Sequence, residues 1–481
     1  MLLSFNQLLW LQLPFLVKAA TVTYSVPLSV PTGAATLDSA PVGISFEFFA
    51  FPAYFTNVTA TNQCLKNFQN VTGIWPPIRI GGTTQDRAKY DASSSVPVVY
   101  SVAAPTDAPA NLTFGPSFMS LAATYLGTVV LGLNRGKDDI TNTISAAKVA
   151  KETMKNLLAI ELGNEPEYYL GGGQPIAVKA GTWDPPTDAQ SQNNWIQDVG
   201  TALGTTLIQA GNHNESPPKW GAEELISTQN DTVKSYVRTY AHHNYPGGKV
   251  PALMSHAGIS SNLNIFKGDL AAAATTGKEY VLGETNSQSG GGAKDVSPLF
   301  GAALWTMDYV LRASSINIKR TYFHHGTVGL CFYCWWGRFS MGAPYYGAYA
   351  ATTAMAGGKS IAALDNGTTS DAVYVIYDGV GKPLKMVLYN SAYFSGTGTR
   401  GNQTFALEGL QSASIGAKRL TAANAGTRVD SGGGVVTFGG ETFAHGTCIP
   451  GGNRTIETTA VVDGKAAFVV AASEALVLFL Q

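Results

Sequence analysis

Short apolar runs alternate with longer helical stretches from about residue 43 to residue 355, and this alternation constrains the fold more than any other feature. Helical stretches such as Ile144–Met154, Gln190–Leu203 and Leu299–Ser314 separate the apolar runs. Because apolar strands separated by helices pair in parallel, eight such units predict a (β/α)8 TIM barrel. The eight strand candidates are Ile44–Phe51, Pro77–Ile80, Thr128–Leu133, Leu157–Leu162, Thr206–Ala210, Thr239–His243, Glu279–Leu282 and Arg320–Phe323.

After Gly357 the sequence changes to short strands separated by turns rich in Gly, Asn and Asp. This pattern is typical of an antiparallel β-sandwich. The strand candidates are Val373–Tyr377, Lys385–Tyr389, Gln403–Leu407, Gly434–Phe438, Ala460–Val462 and Ala475–Leu480. We therefore predict a catalytic barrel over residues 43–357 and a sandwich domain over residues 358–481, and we expect the N-terminal strand segment, residues 21–42, to join the sandwich.

Residues 1–20 have the features of a secretory signal peptide. The apolar run Leu8–Val17 is too short to span a bilayer, and small residues for cleavage follow it. No Lys or Arg precedes the run, so a buried N-terminal strand is the alternative. Asn-X-Ser/Thr sequons, which favour a secreted glycoprotein, begin at Asn57, Asn70, Asn111, Asn214, Asn230, Asn366, Asn402 and Asn453.

The low charge of the chain excludes some classes of partner. Only 13% of the residues are charged and the net charge is −1. Proteins that bind nucleic acids or other polyanions need clustered cations, so the composition favours a neutral or mildly acidic soluble substrate. No later stretch resembles a transmembrane helix, and we expect a monomer that binds neither nucleic acid nor membrane.

The four cysteines favour structural disulfides over a metal site. Cys331 and Cys334 form a CxxC pair, which in a redox protein should open a helix. Here the pair follows a strand-like run and a loop, so a local disulfide is favoured. Zinc is disfavoured because no second CxxC accompanies the pair. His242 and His243 also suggest a metal, but adjacent strand residues point to opposite faces, and we predict no metal and no cofactor.

Two glutamates follow predicted strands in positions suited to catalysis. Glu165 lies in Asn164-Glu165-Pro166, directly after the fourth strand candidate, and Glu284 follows the seventh. Catalytic side chains of a TIM barrel lie at the carboxyl ends of its strands, and a partly desolvated carboxyl there can donate a proton. Asn164 can hydrogen-bond a sugar hydroxyl. Paired carboxyls across a barrel mouth predict glycoside hydrolysis, whereas Glu161 is expected to point into a polar barrel layer or a salt bridge.

Several segments of the chain resemble glycoside hydrolase family 79, the family of β-glucuronidases and heparanases. The resemblance covers most of residues 40–350. It rests on the two glutamate motifs, on the strand-two segment Ile78–Thr83, on Ala241-His242-His243-Asn244-Tyr245 and on the stretch from Gly283 to Gly292. The family also has a C-terminal β-sandwich, so the resemblance implies the same two-domain fold.

The resemblance implies roles for individual residues. Glu165 would be the acid/base and Glu284 the nucleophile, with Tyr245 hydrogen-bonded to Glu284. Glu47 would meet the sugar hydroxyls, and Thr83 lies in the strand-two segment. Residues expected to contact a sugar carboxylate are Ser289, Gly290, Gly291 and Tyr333. Several relatives have a tyrosine where this chain has Ser289.

The glycines of this stretch also have a physical rationale. Without side chains, Gly290 and Gly291 can bring their N–H groups close to a sugar carboxylate, which would select a uronic acid over a neutral hexose. The residues alone fit a flexible loop equally well, and the resemblance favours the functional interpretation.

We therefore predict a retaining exo-β-glucuronidase that removes terminal glucuronic acid, including its 4-O-methyl form, from glycans. One alternative is a heparanase-like endo-acting enzyme, although Val96–Pro116 lacks the Lys and Arg that a sulfated substrate requires. A second is a neutral β-glycosidase of the same clan, because Ser289 departs from the family pattern. A third is a non-catalytic carbohydrate-binding barrel, which is disfavoured because both glutamates are present.

Overall fold

Eight parallel strands close into a barrel in the part of the chain that the computed structural model describes, residues 20–430 and 434–481. Neighbouring strands pair in the order expected of a (β/α)8 fold, and the eighth barrel strand pairs with the first to close the ring. The predicted TIM barrel is confirmed. The predicted signal peptide lies outside the described residues, apart from Ala20, which begins the first strand.

The strands, in chain order, are β1 (Ala20–Ser25), β2 (Ala35–Thr36), β3 (Val42–Glu47), β4 (Ile78–Gly81), β5 (Ala88–Tyr90), β6 (Val98–Tyr100), β7 (Leu112–Phe114), β8 (Val129–Leu133), β9 (Leu157–Leu162), β10 (Ile208–His213), β11 (Val237–Asn244), β12 (Glu279–Thr285), β13 (Ile318–His325), β14 (Ser360–Ala363), β15 (Asp371–Tyr377), β16 (Pro383–Asn390), β17 (Asn402–Glu408), β18 (Ser414–Ala422), β19 (Val436–Phe438), β20 (Glu441–Phe443), β21 (Pro450–Gly452), β22 (Glu457–Ala460), β23 (Lys465–Ala471) and β24 (Glu474–Phe479). The barrel consists of β3, β4 and β8–β13.

The α-helices are α1 (Phe51–Asn57), α2 (Ala60–Thr72), α3 (Pro116–Ala123), α4 (Ile140–Thr153), α5 (Pro175–Ala180), α6 (Pro185–Leu203), α7 (Ala222–Ser227), α8 (Asp231–Tyr236), α9 (Val250–Leu253), α10 (His256–Leu263), α11 (Lys267–Thr275), α12 (Phe300–Ser315) and α13 (Pro344–Met355). Short 3-10 helices span Thr83–Arg87, Pro166–Tyr168 and Asn264–Phe266. In the described ranges, no helix has both the length and the apolar character needed to cross a membrane.

The barrel strands are buried on both faces, which explains why they read as apolar runs. Every residue of β8 and of β10 is buried. The ring interior contains small and branched residues together with a polar layer of Arg79, Glu161 and Gln209. A packed interior of this kind is a core and not a channel, so the site must lie at the mouth of the barrel.

The first predicted barrel strand ends four residues too late. The prediction extended it to Phe51, but β3 ends at Glu47 and α1 begins at Phe51. Pro52, in the first turn of α1, fits a helix start because its missing N–H has no partner to lose there. The apolar run therefore continues from a strand into a buried helix, and hydrophobicity alone does not mark the boundary.

The C-terminal residues form two packed sheets. The larger sheet contains β2, β14–β16, β18–β22 and β24, and the smaller one contains β1, β17 and β23. Side chains from both sheets, including Val375, Leu388, Phe405 and Val470, share one hydrophobic core. This arrangement agrees with the predicted β-sandwich. The N-terminal strand β1 pairs in parallel with β17, which places the start of the described chain in the smaller sheet.

Strands β18 and β23 were absent from the prediction. In β18, buried Ile415, Ala417 and Leu420 are separated by small or charged residues, and in β23 alanines lower the hydrophobic contrast. Each strand is held by partners distant in the sequence, β18 by β24 and β23 by β17. Long-range pairing supplies the stability that the local pattern does not reveal.

Candidate active site

Three glutamates meet at the carboxyl ends of the barrel strands. Glu47 is the last residue of β3, Glu284 lies next to the end of β12, and Glu165 follows β9 by three residues. Parallel strands all end at the same face of a barrel, so residues far apart in sequence converge there. One side-chain oxygen of Glu165 and one of Glu284 lie within 4.8 Å of each other.

The backbone of Glu165 is in a conformation that is rare for a residue with a side chain. Its φ is 49°, in the left-handed region, and its N–H donates to the carbonyl of Asn212, 2.9 Å away. Gly163, with a φ of 80°, turns the chain just before it. Such strain persists only where the surrounding structure enforces it, and it is common at functional sites.

The carboxylate of Glu284 is surrounded by donors and by a cation. The Tyr245 hydroxyl donates to Oε1 over 2.5 Å, and the Arg79 guanidinium donates to Oε2. His324 Nδ1 lies 3.5 Å from the same Oε2. Burial alone would raise the pKa of Glu284, but His324, Arg79 and Tyr245 outweigh it and lower that pKa. Glu284 is therefore ionised and available as a nucleophile.

Glu165 has the opposite electrostatic environment. Burial, the Glu284 carboxylate and the Glu167 carboxylate all raise its pKa well above the usual range. Its close polar neighbour is His243, whose Nδ1 lies 3.1 Å from Oε1. Burial lowers the pKa of His243 well below its usual value, so this ring is neutral and does not stabilise an ionised form of Glu165. A protonated Glu165 beside an ionised Glu284 can act as an acid beside a nucleophile.

Glu47 is fixed by the segment that follows β4. Its Oε1 accepts from the Thr84 backbone N–H at 2.9 Å and from the Thr84 hydroxyl, and its Oε2 lies 3.3 Å from His324 Nε2. Burial raises the pKa of Glu47, but His324 and Thr84 lower it more, and the net shift is downward. Glu47 is thus a fixed, ionised acceptor that suits sugar hydroxyl groups.

Arg79 connects the glutamates at the mouth to the barrel interior. It is fully buried, forms an ion pair with Glu161, and donates to Asn164 Oδ1 at 2.9 Å as well as to Glu284. Glu161 therefore points into a polar layer and a salt bridge, as expected. Asn164 Oδ1 accepts from Arg79 and the residue is absent from the pocket lining, so its contact with a sugar hydroxyl stays a prediction.

The mouth of the barrel forms a pocket of about 380 Å³. Apart from Asn164, each predicted site residue lines it: Glu47, Thr83, Glu165, Tyr245, Glu284, Ser289, Gly290, Gly291 and Tyr333. The wall also includes Arg87, Thr106, Asn214 and His324, which the sequence analysis did not place. In the sequence, the one sign of the hydrogen-bond network below the pocket was Arg79 in the apolar strand-two segment, because a buried Arg requires an anionic partner.

The glycine stretch after β12 has backbone geometry that side chains would strain. Gly290 and Gly291 line the pocket with φ values of 65° and 88°. The Gly291 carbonyl accepts from the Phe332 N–H at 2.7 Å, which ties the stretch to the segment containing Tyr333. A side chain on Gly292 would meet Ser297 Oγ at 2.7 Å. The stretch is therefore held in place, with backbone groups at the pocket surface.

The two adjacent histidines separate as predicted. His243 faces Glu165 and Glu284, and His242 lies behind it with Nε2 3.0 Å from the Glu215 carbonyl. Side-chain atoms of Glu165, His243 and Glu284 lie close enough to share a cation. However, Arg79 and Tyr245 already engage both oxygens of Glu284, and a guanidinium beside a metal ion would repel it. The set therefore fits acid–base chemistry better than metal binding.

The four cysteines pair into two disulfides. Cys331 and Cys334 form the local bond that the spacing favours, in the segment bordering the pocket. Cys64, on α2, pairs with Cys448 in the sandwich. The second bond crosslinks the barrel to the C-terminal sheets.

Comparison with known proteins agrees with this geometry. Residues 373–477 match the C-terminal beta domain of glycosyl hydrolase family 79. The chain is 29% identical to a β-glucuronidase of Aspergillus niger over 402 residues, which are 75% of this chain and 73% of that one. It is 28% identical to a β-glucuronidase of Neurospora crassa over 353 residues, covering 64% and 61% respectively.

A solved structure is more similar still. It is a 4-O-α-L-rhamnosyl-β-D-glucuronidase from Fusarium oxysporum, in complex with Rha-GlcA. The two chains are 48% identical, the match covers 95% of this chain and 100% of that chain, and the TM-score is 0.92.

Proposed function

This chain belongs to glycoside hydrolase family 79, and we propose that it is a secreted, exo-acting β-glucuronidase that hydrolyses its substrate with retention of configuration. The observation that carries the proposal is the unequal pair at the barrel mouth. The pKa of Glu165 is raised and that of Glu284 is lowered, so one carboxyl holds a proton while the other is ionised.

Each residue of the pair has a defined task in a retaining reaction. Glu284 attacks the anomeric carbon and forms a glycosyl-enzyme, while Glu165 protonates the leaving oxygen. Glu165 then removes a proton from the incoming water, which hydrolyses the intermediate. Carboxylate oxygens within 4.8 Å of each other support retention, because an inverting pair needs a wider gap to hold water between the carboxyls.

Selectivity for a uronic acid is supported by the part of the pocket wall that the glycine stretch contributes. Backbone groups of Gly290 and Gly291 and the side chains of Ser289 and Tyr333 line it, and none of them carries a negative charge. Neutral N–H and O–H donors can bind a sugar carboxylate. The curated relatives are both named β-glucuronidases, which favours this assignment over a neutral glycosidase.

Exo action is supported by the insertion between β4 and β8, because this insertion adds to the wall of the pocket. Its strands β5–β7 form a separate three-stranded sheet, and Thr106 and Ala108 of this insertion line the pocket.

The charge of the pocket wall argues against the heparanase-like alternative. Among the described residues of the wall, Arg87 and His324 are the basic side chains, and an endo-acting enzyme would need more basic side chains than these two to bind a sulfated chain.

A glucuronate substituted at its 4-hydroxyl is the second candidate substrate. The structural relative at 48% identity is a 4-O-rhamnosyl-glucuronidase. In this chain the pocket extends along Glu47 to Arg87, Thr106 and Ala108, and these residues could surround a substituent. A 4-O-methyl group or a 4-O-rhamnosyl group would then be released together with the glucuronate.

The test is a panel of chromogenic β-glycosides with one leaving group. The panel contains the glucuronide, its 4-O-methyl and 4-O-rhamnosyl forms, the glucoside, the galactoside and the xyloside. We expect turnover of the glucuronides and little of the neutral sugars. A preference for the glucoside would overturn the uronic acid assignment. Early product spectra by NMR should give the β-anomer, and an initial α-product would overturn retention.

A further inference from the structure

A large aromatic side chain stands exposed beside the predicted acid/base, with no part in the chemistry described above. Tyr168 ends the short 3-10 helix that begins directly after Glu165, and 56% of its surface is exposed. Glu165 lines the pocket, and Tyr168 follows it by three residues at the end of this short helix, so the ring lies beside the mouth of the pocket. Burial, together with the carboxylates of Glu167 and Glu165, raises the pKa of Tyr168.

Asn214 lies at the same side of the pocket. It directly follows β10, is half-buried, and lines the pocket together with Glu165. Its side chain interacts with the Tyr168 hydroxyl and lowers the pKa of that group. Its backbone N–H donates to the buried carboxylate of Glu167. A polar amide and an aromatic ring thus adjoin each other next to Glu165.

The support beneath these two residues is rigid. The Trp183 indole N–H donates to the Pro166 carbonyl at 2.7 Å, and the rings of Trp183 and Tyr169 stack with centroids 6.0 Å apart. The Glu165 N–H is bonded to β10, the strand that also leads to Asn214. The surface is therefore formed before any ligand binds, which lowers the entropic cost of binding.

The direction of the reaction identifies the ligand. Because Glu165 protonates the leaving oxygen, the group attached to that oxygen must lie on the Glu165 side of the pocket. An aromatic face packs against the apolar C–H face of a sugar ring, and an amide offers both donors and an acceptor to hydroxyl groups. A neutral sugar ring matches both features.

We propose that Tyr168 and Asn214 form a subsite for the sugar residue on the leaving-group side, so that the natural substrate is a glucuronide of a glycan and not of a small alcohol. This inference rests on the proposed function and extends it from the glucuronate to the residue that carries it. Tyr168 supplies the stacking surface, and Asn214, held by Glu167, supplies the hydrogen bonds.

The experiment compares two substrates that differ in the leaving group. β-Glucuronyl fluoride has no leaving sugar, whereas a β-glucuronosyl hexose disaccharide has one. We expect Tyr168→Ala and Asn214→Ala each to lower kcat/KM on the disaccharide by about 10-fold or more, equivalent to about 1.4 kcal/mol, and to change it less than about 2-fold on the fluoride. Tyr168→Phe should keep most of the activity on the disaccharide because the ring remains.

The matched control is Tyr393→Ala, an exposed tyrosine of the C-terminal region, which should leave both substrates unaffected. An equal loss on fluoride and disaccharide, or no loss on either, would overturn the subsite while leaving the proposed function intact. If the wild-type enzyme turns over neither glucuronyl substrate but hydrolyses a glucosyl fluoride, the proposed function fails and the subsite falls with it.

Discussion

At the scale of single residues, chemically identical side chains acquire different tasks from their neighbours. Glu165 and Glu284 differ in pKa because Glu284 faces Arg79, His324 and Tyr245, whereas Glu165 faces carboxylates and a neutral His243. Position at a strand end makes a glutamate a candidate, and the surrounding charges determine whether it donates a proton or attacks.

Alanine variants of the two glutamates should separate these tasks. Glu165→Ala loses the proton donor, so a substrate with a good leaving group should still form the intermediate, whose hydrolysis then becomes slow. Azide needs no base and should restore turnover, giving the β-glycosyl azide. Glu284→Ala cannot form the intermediate, and azide should attack directly to give the α-azide. We expect losses of about 10²–10⁴ or more in kcat for both variants without azide.

Product stereochemistry by NMR is the measurement. If Glu165→Ala gave the α-azide and Glu284→Ala the β-azide, the roles of the two residues would be reversed. Near-native activity of both variants on a poor leaving group would exclude the pair from catalysis.

Glu167→Gln should change the pH profile of the enzyme. After burial and Glu284, the Glu167 carboxylate contributes to the raised pKa of Glu165, so its removal should lower that pKa. Activity needs Glu165 protonated, and therefore the basic limb of kcat/KM should move to lower pH. The acid limb, which reports Glu284, should stay. Glu152→Gln, an exposed change on α4, is the control, and an unmoved basic limb would refute the coupling.

At the scale of elements, the sequence predicted those parts of the site that follow a regular strand. Glu165 and Glu284 could be found because apolar runs predict the strands β9 and β12, and the same pattern places Tyr245 after β11. His324 was not found, because it lies within the strand β13 itself and contacts Glu47 and Glu284 only through barrel closure. The hydrogen bond from Arg79 to Asn164 was not predicted either, because the two residues are remote in sequence.

The glycine stretch after β12 should respond to a side chain at the pocket surface. Gly290→Val places a branched side chain on a residue with a φ of 65°, next to the groups proposed to bind the carboxylate. We expect kcat/KM for the glucuronide to fall by about 10–100-fold, corresponding to about 1–3 kcal/mol, and any glucoside turnover to fall less.

Gly398→Val is a matched control for backbone strain. Gly398 has a φ of 75° and open space around it, but it lies in the C-terminal region away from the pocket wall. It should affect stability without changing the ratio of the two activities. Equal loss of glucuronide and glucoside turnover in Gly290→Val would argue against carboxylate binding by this stretch.

At the scale of the whole molecule, the barrel and the sandwich are held together by buried contacts and by a crosslink. The Cys64–Cys448 disulfide joins residues 384 positions apart. His256, at the start of α10, lies between Asp308 of α12 and Asp365 of the C-terminal region, 2.7 Å from each. None of these pairings follows from local sequence, because each depends on how the two domains dock.

The sequon asparagines differ in position on the folded molecule. Seven are exposed, whereas Asn214 is half-buried in the pocket wall. A glycan there would occupy the space proposed for the leaving sugar, so active enzyme from a secreting eukaryotic host should carry no glycan at Asn214. Ser216→Ala removes the sequon without altering Asn214 and should leave activity unchanged. Glycopeptide mass spectrometry is the check, and a glycan at Asn214 in fully active enzyme would contradict the subsite.

The pH dependence of stability should reveal the charge at the domain junction. His256 is buried, and although burial lowers its pKa, Asp308 and Asp365 raise it to about 10. Tyr374 donates to Asp308, and Asp371 is a further acidic group near this histidine. In the unfolded chain a histidine has a pKa of about 6.5. Because the folded pKa is the higher one, the stabilisation is fully present below about pH 6.5 and is lost as pH rises through about 10.

His256→Gln should therefore destabilise the protein most at low pH. It leaves two buried carboxylates without their cation, which costs about 3 kcal/mol or more near pH 6, and the difference from wild type should shrink as pH approaches 10. Thermal unfolding followed by circular dichroism at both pH values measures this. His445→Gln, at an exposed histidine, should show no such trend. An equal loss of stability at both pH values would mean that His256 acts through packing alone, without the charge that its two aspartates stabilise.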